Sequence, residues 1–193
     1  MKTRFLALAL VVPAALAAQQ PAAPSANPIT DVFRGRTMTL HRNLAQAFDS
    51  IPADKFGYKP TPAQQSVGYI AQHLVNDNYL FCNAFGDMKA TRPAKEAETA
   101  DSVKAGWPKD TLVAQLKASF DFCERAFAQL TDASLAEQVP LTFRGRTRDV
   151  TRASMALGHA MDMADHYSQL ANYMRLNGML PPTALPRPGR NQN

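Results

Sequence analysis

The sequence predicts an all-α protein, a four-helix bundle with long connections between helices 2 and 3 and between helices 3 and 4. Four stretches of roughly 20 to 28 residues repeat apolar side chains at the three- and four-residue spacing of a helix. No strand-like alternation competes with this pattern over a similar length. Hydrophobic residues make up 46% and charged residues 19% of the 193, an ordinary globular mixture that excludes a mostly disordered chain.

The first two helices are predicted at about 30–50 and 66–86. The first ends before Pro52, which cannot continue a helix and opens a proline-rich loop. Ser66 is a suitable N-cap for the second, because its hydroxyl can accept a hydrogen bond from an unpaired backbone N–H of the first turn. The apolar stripe of the second helix fades near Gly86.

The third and fourth helices are predicted at about 110–130 and 148–177. Asp110 is a plausible cap of the third. Gly178 suits the position after the fourth, where a helix commonly ends in a left-handed residue. The long connections are therefore residues 87–109, where Trp107 is expected to fold back on the bundle, and residues 131–147.

The two ends of the chain are predicted to lie outside the bundle. Residues 1–17 have a basic start, twelve apolar residues and a small-residue cleavage site near Ala17, which is the pattern of a secretory signal peptide. A retained membrane anchor is the alternative. Composition predicts a flexible tether at 18–29 and a disordered tail at 183–193. The bundle then occupies 30–182, and the protein is expected to be periplasmic or secreted.

Charge and composition limit the possible partners. The net charge of +5 falls by two when Lys2 and Arg4 are removed, and the arginines near residues 144–152 have no aromatic residues between them. No nucleic-acid partner is therefore expected. No second apolar run approaches the ~18 residues of a membrane span, so no stable membrane insertion is expected after cleavage. The absence of a glycine-rich phosphate loop argues against a nucleotide cofactor.

Two helices carry ionisable residues on stripes that should be apolar. His73 and Asp77 are four residues apart on the second helix, and Asp162 and His166 repeat that spacing on the fourth. Burying such groups is costly unless they are paired or bind a metal. The sequence therefore predicts either a divalent metal site, holding Zn, Fe, Ni or Mn, or a His–Asp hydrogen-bond network. His159, seven residues before His166, lies on the same face.

Three further residues need an interpretation. His41 flanks the apolar stripe of the first helix and is read as an edge or surface residue. Cys82 and Cys123 lie on neighbouring helices, and in an exported protein a disulfide between them is favoured over two free thiols. A nucleophilic cysteine is the lesser alternative.

Two stretches resemble the DinB-like family of small metal-binding four-helix bundles. One is IPADKFGYKP at 51–60, followed by SVGYIAQH at 66–73. The other is DHYSQL at 165–170, continued by YMRLNG at 173–178 and paired prolines at 181–182. Several separate features thus occur in the order that the family shows.

The resemblance implies a divalent metal held by three histidines, one from the second helix and two from the last. His73 and His166 match two of these positions, whereas the third falls on Asp162. Two histidines and one carboxylate can still bind a metal. Asp77 and His159 are then residues that support the ligands, or alternative ligands. Tyr167 and Gln169 are possible substrate contacts.

Two functions remain open at this point. The first is an exported, metal-dependent enzyme acting on a small molecule, a hydrolase or a thiol-transferase-like protein of unknown substrate. The resemblance implies the thiol chemistry, because characterised relatives in the family include thiol-dependent transferases and an isomerase that uses low-molecular-weight thiols. The second is a non-catalytic bundle that binds a small molecule or forms a homodimer and whose metal site has degenerated.

Overall fold

The fold is a bundle of four long helices with a small β-hairpin inserted before the last helix, as seen in a computed structural model that describes residues 24–143 and 145–186. The predicted four-helix class is confirmed. The long helices are α1 (Pro28–Ser50), α2 (Val67–Phe85), α5 (Lys109–Ala128) and α6 (Arg152–Leu176). The first long connection holds short helices α3 (Ala94–Glu98) and α4 (Asp101–Lys104). The second holds strands β1 (Gln138–Phe143) and β2 (Arg146–Thr151).

The helix caps explain most of the boundaries. The Ser66 hydroxyl accepts from Tyr69 N at 3.2 Å, as predicted for α2. Thr151 caps α6 in the same way, accepting from Ser154 N at 3.1 Å, so this helix begins at Arg152 and not at 148. Pro108, not Asp110, occupies the cap position of α5. Gly178 has a φ of 71°, the left-handed conformation expected after α6.

The hairpin is a feature that the sequence reading missed. It was expected to be an irregular connection, but Gln138 pairs with Thr151 and Leu141 with Arg148 in an antiparallel ladder. Only Leu141 of β1 is buried, at 9% exposure. Pro140 is tolerated because it lies in a two-stranded ribbon, where each strand has one free edge.

Both ends of the described chain are docked on the bundle. The carboxylate of Asp132 accepts hydrogen bonds from the backbone N–H groups of Ile29 and Thr30, at 3.0 and 2.8 Å, and so caps α1. The helix therefore begins inside the segment expected to be a tether. A 3₁₀ turn at Pro182–Ala184 lies where the tail was expected to begin. The signal segment 1–17 and residues 187–193 lie outside the described residues.

The interior consists of two apolar clusters separated by a polar layer. One cluster contains Leu44, Leu74, Leu116 and Met163, all with 0% exposure, and Trp107 packs against it as predicted. The other is built around Phe85, Phe127 and the cysteines. The polar layer between them consists of His41, Asn78, Ser119 and His159.

Helices α2 and α6 position the polar residues that matter for function. Residue numbers rise along α2 as they fall along α6, since His73 contacts His166 and Asn78 contacts His159. The two helices are therefore antiparallel neighbours. Within the described part of the chain, none of the helices is long and apolar enough to cross a membrane.

Candidate metal site

The structure brings the three predicted ligands together between α2 and α6. His73, Asp162 and His166 each offer one ligand atom, and these atoms all lie within 4.8 Å of one another. The two imidazole rings meet edge to face, with centroids 4.7 Å apart. This convergence follows from helix geometry. Asp162 and His166 are one turn apart on α6, and antiparallel packing places His73 opposite them.

The surroundings of the Asp162 carboxylate indicate that these residues suit a cation. Its Oδ1 lies 3.5 Å from Nε2 of His166. Its Oδ2 is buried and, with the carboxyls of the site ionised, has no hydrogen-bond partner among the described residues. A buried anionic oxygen without a partner is costly. A divalent ion at this point would satisfy it, so the donor set and its environment fit a metal.

The ring of His166 is held by a chain of hydrogen bonds. Nδ1 of His166 lies 3.2 Å from Oε1 of Gln169, whose amide nitrogen donates to the Tyr173 hydroxyl at 3.2 Å. That hydroxyl in turn donates to the backbone carbonyl of Gln65 at 3.0 Å. Because the amide oxygen can only accept, Nδ1 carries a proton, and in the neutral imidazole the lone pair is therefore on Nε2. That lone pair faces Asp162, as a ligand requires.

Asp77 lies at the edge of the same cluster. Its Oδ2 is 3.2 Å from Nε2 of His73, and its carboxyl is in hydrogen-bonding contact with that of Asp162. Burial, followed by the neighbouring Asp162, raises the pKa of Asp77 to about 7. The two carboxyls therefore need a shared proton or a cation between them.

The pKa values of the two histidines in the cluster, His73 and His166, are shifted in opposite directions. Burial, and then the proximity of His166, lowers the pKa of His73, so this imidazole is neutral near pH 7 and available as a ligand. Burial also disfavours charge on His166. Its interactions with Asp162 outweigh that effect, and its pKa is raised.

His159 does not belong to this site. It is fully buried in the polar layer, where Nε2 lies 2.8 Å from Oδ1 of Asn78. Seven residues on a helix return to the same face but rise by about 10 Å, which places His159 a layer away from His166. The prediction that it supports or replaces a ligand is therefore not met by the geometry.

The prediction that His41 is an edge or surface residue of the first helix is wrong. It is 2% exposed and stacks on Phe120 with ring centroids 4.2 Å apart. Its ring also meets His159 edge to face, at 5.3 Å. His41 is thus part of the interior, because the bundle buries a wider face of α1 than its apolar stripe suggests.

The two suggested substrate contacts are already engaged. Gln169 orients His166, as described above. The hydroxyl of Tyr167 bonds to Thr183, donating to Oγ1 at 2.9 Å and accepting from the backbone N–H at 3.1 Å. Tyr167 therefore attaches the chain after α6 to the helix, which the sequence pattern did not indicate.

Cys82 and Cys123 form a disulfide between α2 and α5, as expected. Both are fully buried. They also lie near His159, but sulfurs joined in a disulfide are not thiolate ligands. The nucleophilic-cysteine alternative is set aside by this bond.

Several residues around the site escaped the sequence reading. Tyr173 was part of the YMRLNG motif, but the motif did not indicate its hydrogen bonds. Asn78 and Gln65 take part in the networks just described, yet each is a single polar residue without a spacing signal. Asn76 is another, since it receives hydrogen bonds from Arg92 and Lys104 and donates one to Asp101. That network holds the first long connection against α2, beside His73.

Fold and site together define a class of protein, a small four-helix bundle with a candidate metal centre between its second and last long helices. The chain belongs to the DinB superfamily, whose family model matches residues 37–170. The family resemblance expected from the motifs is thereby confirmed. None of the curated proteins matches the chain.

Solved structures share the fold at low identity. A DinB-like protein from Bacillus cereus is 15% identical with a TM-score of 0.61, over 79% of this chain and 95% of that one. YfiT from Bacillus subtilis, described as a probable metal-dependent hydrolase with an unusual four-helix bundle topology, is 15% identical with a TM-score of 0.53, over 81% and 93%. A mycothiol-dependent maleylpyruvate isomerase is 10% identical with a TM-score of 0.56, over 73% of this chain and 59% of the isomerase.

Proposed function

We propose that the protein is a divalent-metal-dependent enzyme that acts on a small molecule, of the hydrolase or thiol-transfer class. One observation carries the proposal. The ligand atoms of His73, Asp162 and His166 converge within 4.8 Å of one another, and among the described residues the buried Oδ2 of Asp162 has no hydrogen-bond donor unless Asp77 is protonated. The likeness to YfiT, a probable metal-dependent hydrolase, supports the first class, and the likeness to a mycothiol-dependent isomerase supports the second.

The chain's own residues would prepare this site for chemistry. When bound, the ion would act as a Lewis acid and make a water or thiol more acidic. Three protein ligands leave coordination positions for that group and for the substrate. The side chain of His73 is 28% exposed, so the open side of the site can be reached from solvent. Gln169 holds His166 in the tautomer that binds.

We also propose that the protein works after export. The signal-like segment 1–17 supports this, and so does the disulfide, because such bonds persist in oxidising compartments. Low-molecular-weight thiols of the cytoplasm are scarce there. This location favours hydrolysis over thiol transfer.

Metal analysis of the purified mature protein tests the proposal. About one Zn, Fe, Ni or Mn per chain is expected, and His73→Ala should lose both the ion and any activity on hydrolytic or thiol-transfer substrates. Asp162→Asn should weaken metal binding. Asp149→Asn is the control, because it makes the same change at an exposed position of β2, outside the two helices that carry the site. Activity retained in a metal-free His73→Ala variant would overturn the proposal.

A non-catalytic binding bundle is the second candidate. The observation in its favour is that His73–Asp77 and His166–Asp162 also make two close His–carboxylate contacts, at 3.2 and 3.5 Å, without any ion. If the protein is such a bundle, a chelator should leave the melting temperature unchanged. If it holds a metal that binds only the folded state, the chelator should lower the melting temperature.

A further inference from the structure

Cys82, Cys123 and His159 form a second cluster of side chains that can bind a metal. Their ligand atoms, two sulfurs and one imidazole nitrogen, all lie within 4.8 Å of one another. All three residues have 0% exposure, so the cluster lies entirely inside the bundle. The three residues come from α2, α5 and α6, and none of them belongs to the candidate metal site described above.

The imidazole of His159 has a lone pair that none of the described residues uses. Ser119 donates its hydroxyl proton to the Leu116 carbonyl at 2.7 Å, so its oxygen accepts from the amide nitrogen of Asn78, also at 2.7 Å. The atom 2.8 Å from Nε2 of His159 is therefore the amide oxygen of Asn78, and Nε2 carries a proton. In the neutral imidazole the lone pair is then on Nδ1, which is buried and has no hydrogen-bond partner in the described part of the chain. A buried acceptor without a partner is costly, and a bound metal ion would satisfy it.

The two cysteines are spaced for a shared ion when they are thiols. Their Cα atoms lie 5.3 Å apart, and the Cβ atoms of such a pair are about 3.8 Å apart. Two thiolates on one tetrahedral zinc ion, with bonds of about 2.3 Å, have their sulfurs about 3.7 Å apart. Parallel Cβ–Sγ bonds give this separation, so rotation of the two side chains reaches it while the helices keep their positions. The backbone oxygen of Asn78, 3.3 Å from Sγ of Cys123, is a further donor beside the sulfurs.

The charge of a buried site selects a divalent ion. Two thiolates carry two negative charges, and a neutral imidazole adds none. A divalent ion makes the whole unit neutral, whereas a monovalent ion such as Cu⁺ would leave one negative charge uncompensated in the interior. Thiolate and imidazole suit Zn²⁺, and structural zinc sites are closed to solvent ligands, as a fully buried site requires.

We propose that the dithiol form of the chain binds a structural Zn²⁺ ion through Cys82, Cys123 and His159, in the place that the disulfide takes after oxidation. The cysteines of a newly made chain are thiols, and each releases its proton when the ion binds. Oxidation by a small disulfide forms the Cys82–Cys123 bond and releases the ion. The two electrons, with two protons from solvent, convert the oxidant into two thiols. The ion and the disulfide therefore exclude each other, and the ion holds three helices together before the disulfide exists.

The competing arrangement is a dithiol without an ion. A thiol of Cys82 or Cys123 would then donate its hydrogen to Nδ1 of His159, which also gives the lone pair a partner. The two arrangements differ in whether the reduced chain binds a metal through sulfur. Because the three side chains are buried, the ion has to enter while the chain folds. The experiment therefore starts from the unfolded, reduced chain.

The test is refolding of the reduced full chain with Co²⁺, a spectroscopic substitute for Zn²⁺, in a phosphine reductant and without oxygen. Thiolate ligands give Co²⁺ an intense near-ultraviolet charge-transfer band, which histidine and carboxylate ligands do not give. We expect this band to saturate at about one equivalent of sulfur-bound ion, and Zn²⁺ should abolish it by displacing Co²⁺. His73→Ala is the control, because it removes a ligand of the other site and should keep the band. The oxidised chain should give no band.

His159→Phe keeps a ring in the interior and removes the third ligand. Its affinity for Zn²⁺, measured by competition with Co²⁺, should fall by more than the roughly 10- to 100-fold that loss of a supporting residue costs. The wild-type affinity should also fall in urea, because only the folded helices bring the three ligands together. A refolded wild type without the band, equal affinities of His159→Phe and the wild type, or an affinity unchanged by urea would each overturn the proposal. If His159→Phe does not fold, the urea comparison decides.

Discussion

At the scale of single residues, Gln169 links the candidate metal site to the backbone of the chain. Its amide oxygen accepts a hydrogen bond from Nδ1 of His166, and its amide nitrogen donates one to the hydroxyl of Tyr173, which donates to the Gln65 carbonyl. Each member fixes the orientation of the next. A ligand prepared in this way loses less entropy when the ion binds.

Replacing Gln169 with leucine should therefore weaken metal binding. The imidazole of His166 would be free to rotate and to change tautomer, and we expect a loss of about 10- to 100-fold in affinity. Titration of the metal-free protein with Zn²⁺ measures this loss. Gln169→Glu preserves the acceptor and should retain most of the affinity. Unchanged binding in the leucine variant would show that the hydrogen-bond chain has no role in holding the ion.

The buried pair His41 and His159 makes stability depend on pH. Burial lowers the pKa of His41 from 6.5 to about 2 and that of His159 to about 4. Both histidines take up protons near pH 6.5 once the chain unfolds. Above pH 6.5 the histidines are neutral in both states and do not reduce the free energy of unfolding. As the pH falls from 6.5 toward the folded-state pKa values, only the unfolded chain takes up these protons, and the free energy of unfolding decreases.

The variant His41→Phe, which keeps a ring against Phe120, should remove part of this dependence. At pH 5 the unfolded state gains about 2 kcal/mol from protonating one such histidine. The free energy of unfolding should thus fall less between pH 7 and pH 5 in the variant than in the wild type. Glu124, 3.5 Å from His41, is present in both proteins. Equal losses, measured by urea unfolding, would contradict the prediction.

At the scale of elements, the first long connection is positioned by a close approach to α2. A Cβ added to Gly68 would lie 2.3 Å from the backbone oxygen of Ala105, a distance that atoms do not tolerate. The amide of Gly68 also donates to the Phe56 carbonyl at 2.8 Å. Only glycine allows the connection to pack this tightly beside the turn of α2 that leads to His73.

Gly68→Ala should consequently destabilise the protein, by about 1 to 3 kcal/mol for a forced backbone shift. Gly35→Ala is the matched control. Gly35 is a solvent-exposed residue in the middle of α1, and a Cβ added there would have no atom within 4 Å. Alanine should therefore stabilise that helix by up to about 1 kcal/mol. Urea unfolding of both variants should give opposite signs. A neutral Gly68→Ala would show that the connection moves away freely.

At the scale of the whole molecule, the disulfide joins α2 and α5 beside the polar layer. The two cysteines are 41 residues apart, and closing a loop of this length removes disorder from the unfolded chain. The bond encloses the first long connection, whose helices are short. Because it acts on the unfolded chain, the bond stabilises the folded protein as a whole.

The double variant Cys82→Ala, Cys123→Ala should lose about 4 kcal/mol of unfolding free energy on the chain-entropy estimate. Denaturant unfolding of the variant and the oxidised wild type checks this. Wild type measured with excess reductant under denaturing conditions, where the buried bond is accessible, should approach the variant. Equal stability of the variant and the oxidised protein would contradict the prediction.

The amino-acid sequence by itself predicted the four helices, the family and the three residues of the candidate site. Each of these depends on local spacing or on a motif, and helix period and caps are local properties. The disulfide was predicted from the expected export of a chain that has only two cysteines. Residues four positions apart, such as Asp162 and His166, are neighbours on the helix surface however the helix packs.

Only the tertiary structure decided what lies opposite those residues. It placed His159 in the polar layer and Asp77 beside Asp162, and it buried His41. The reason is physical, because the rise along a helix and the antiparallel offset between α2 and α6 set which turns meet. The same holds for the hairpin, since its strands are short and Leu141 is their one fully buried residue, with Val139 and Val150 packed only partly buried against the bundle. Contacts between helices distant in the chain leave no periodic signal in one sequence.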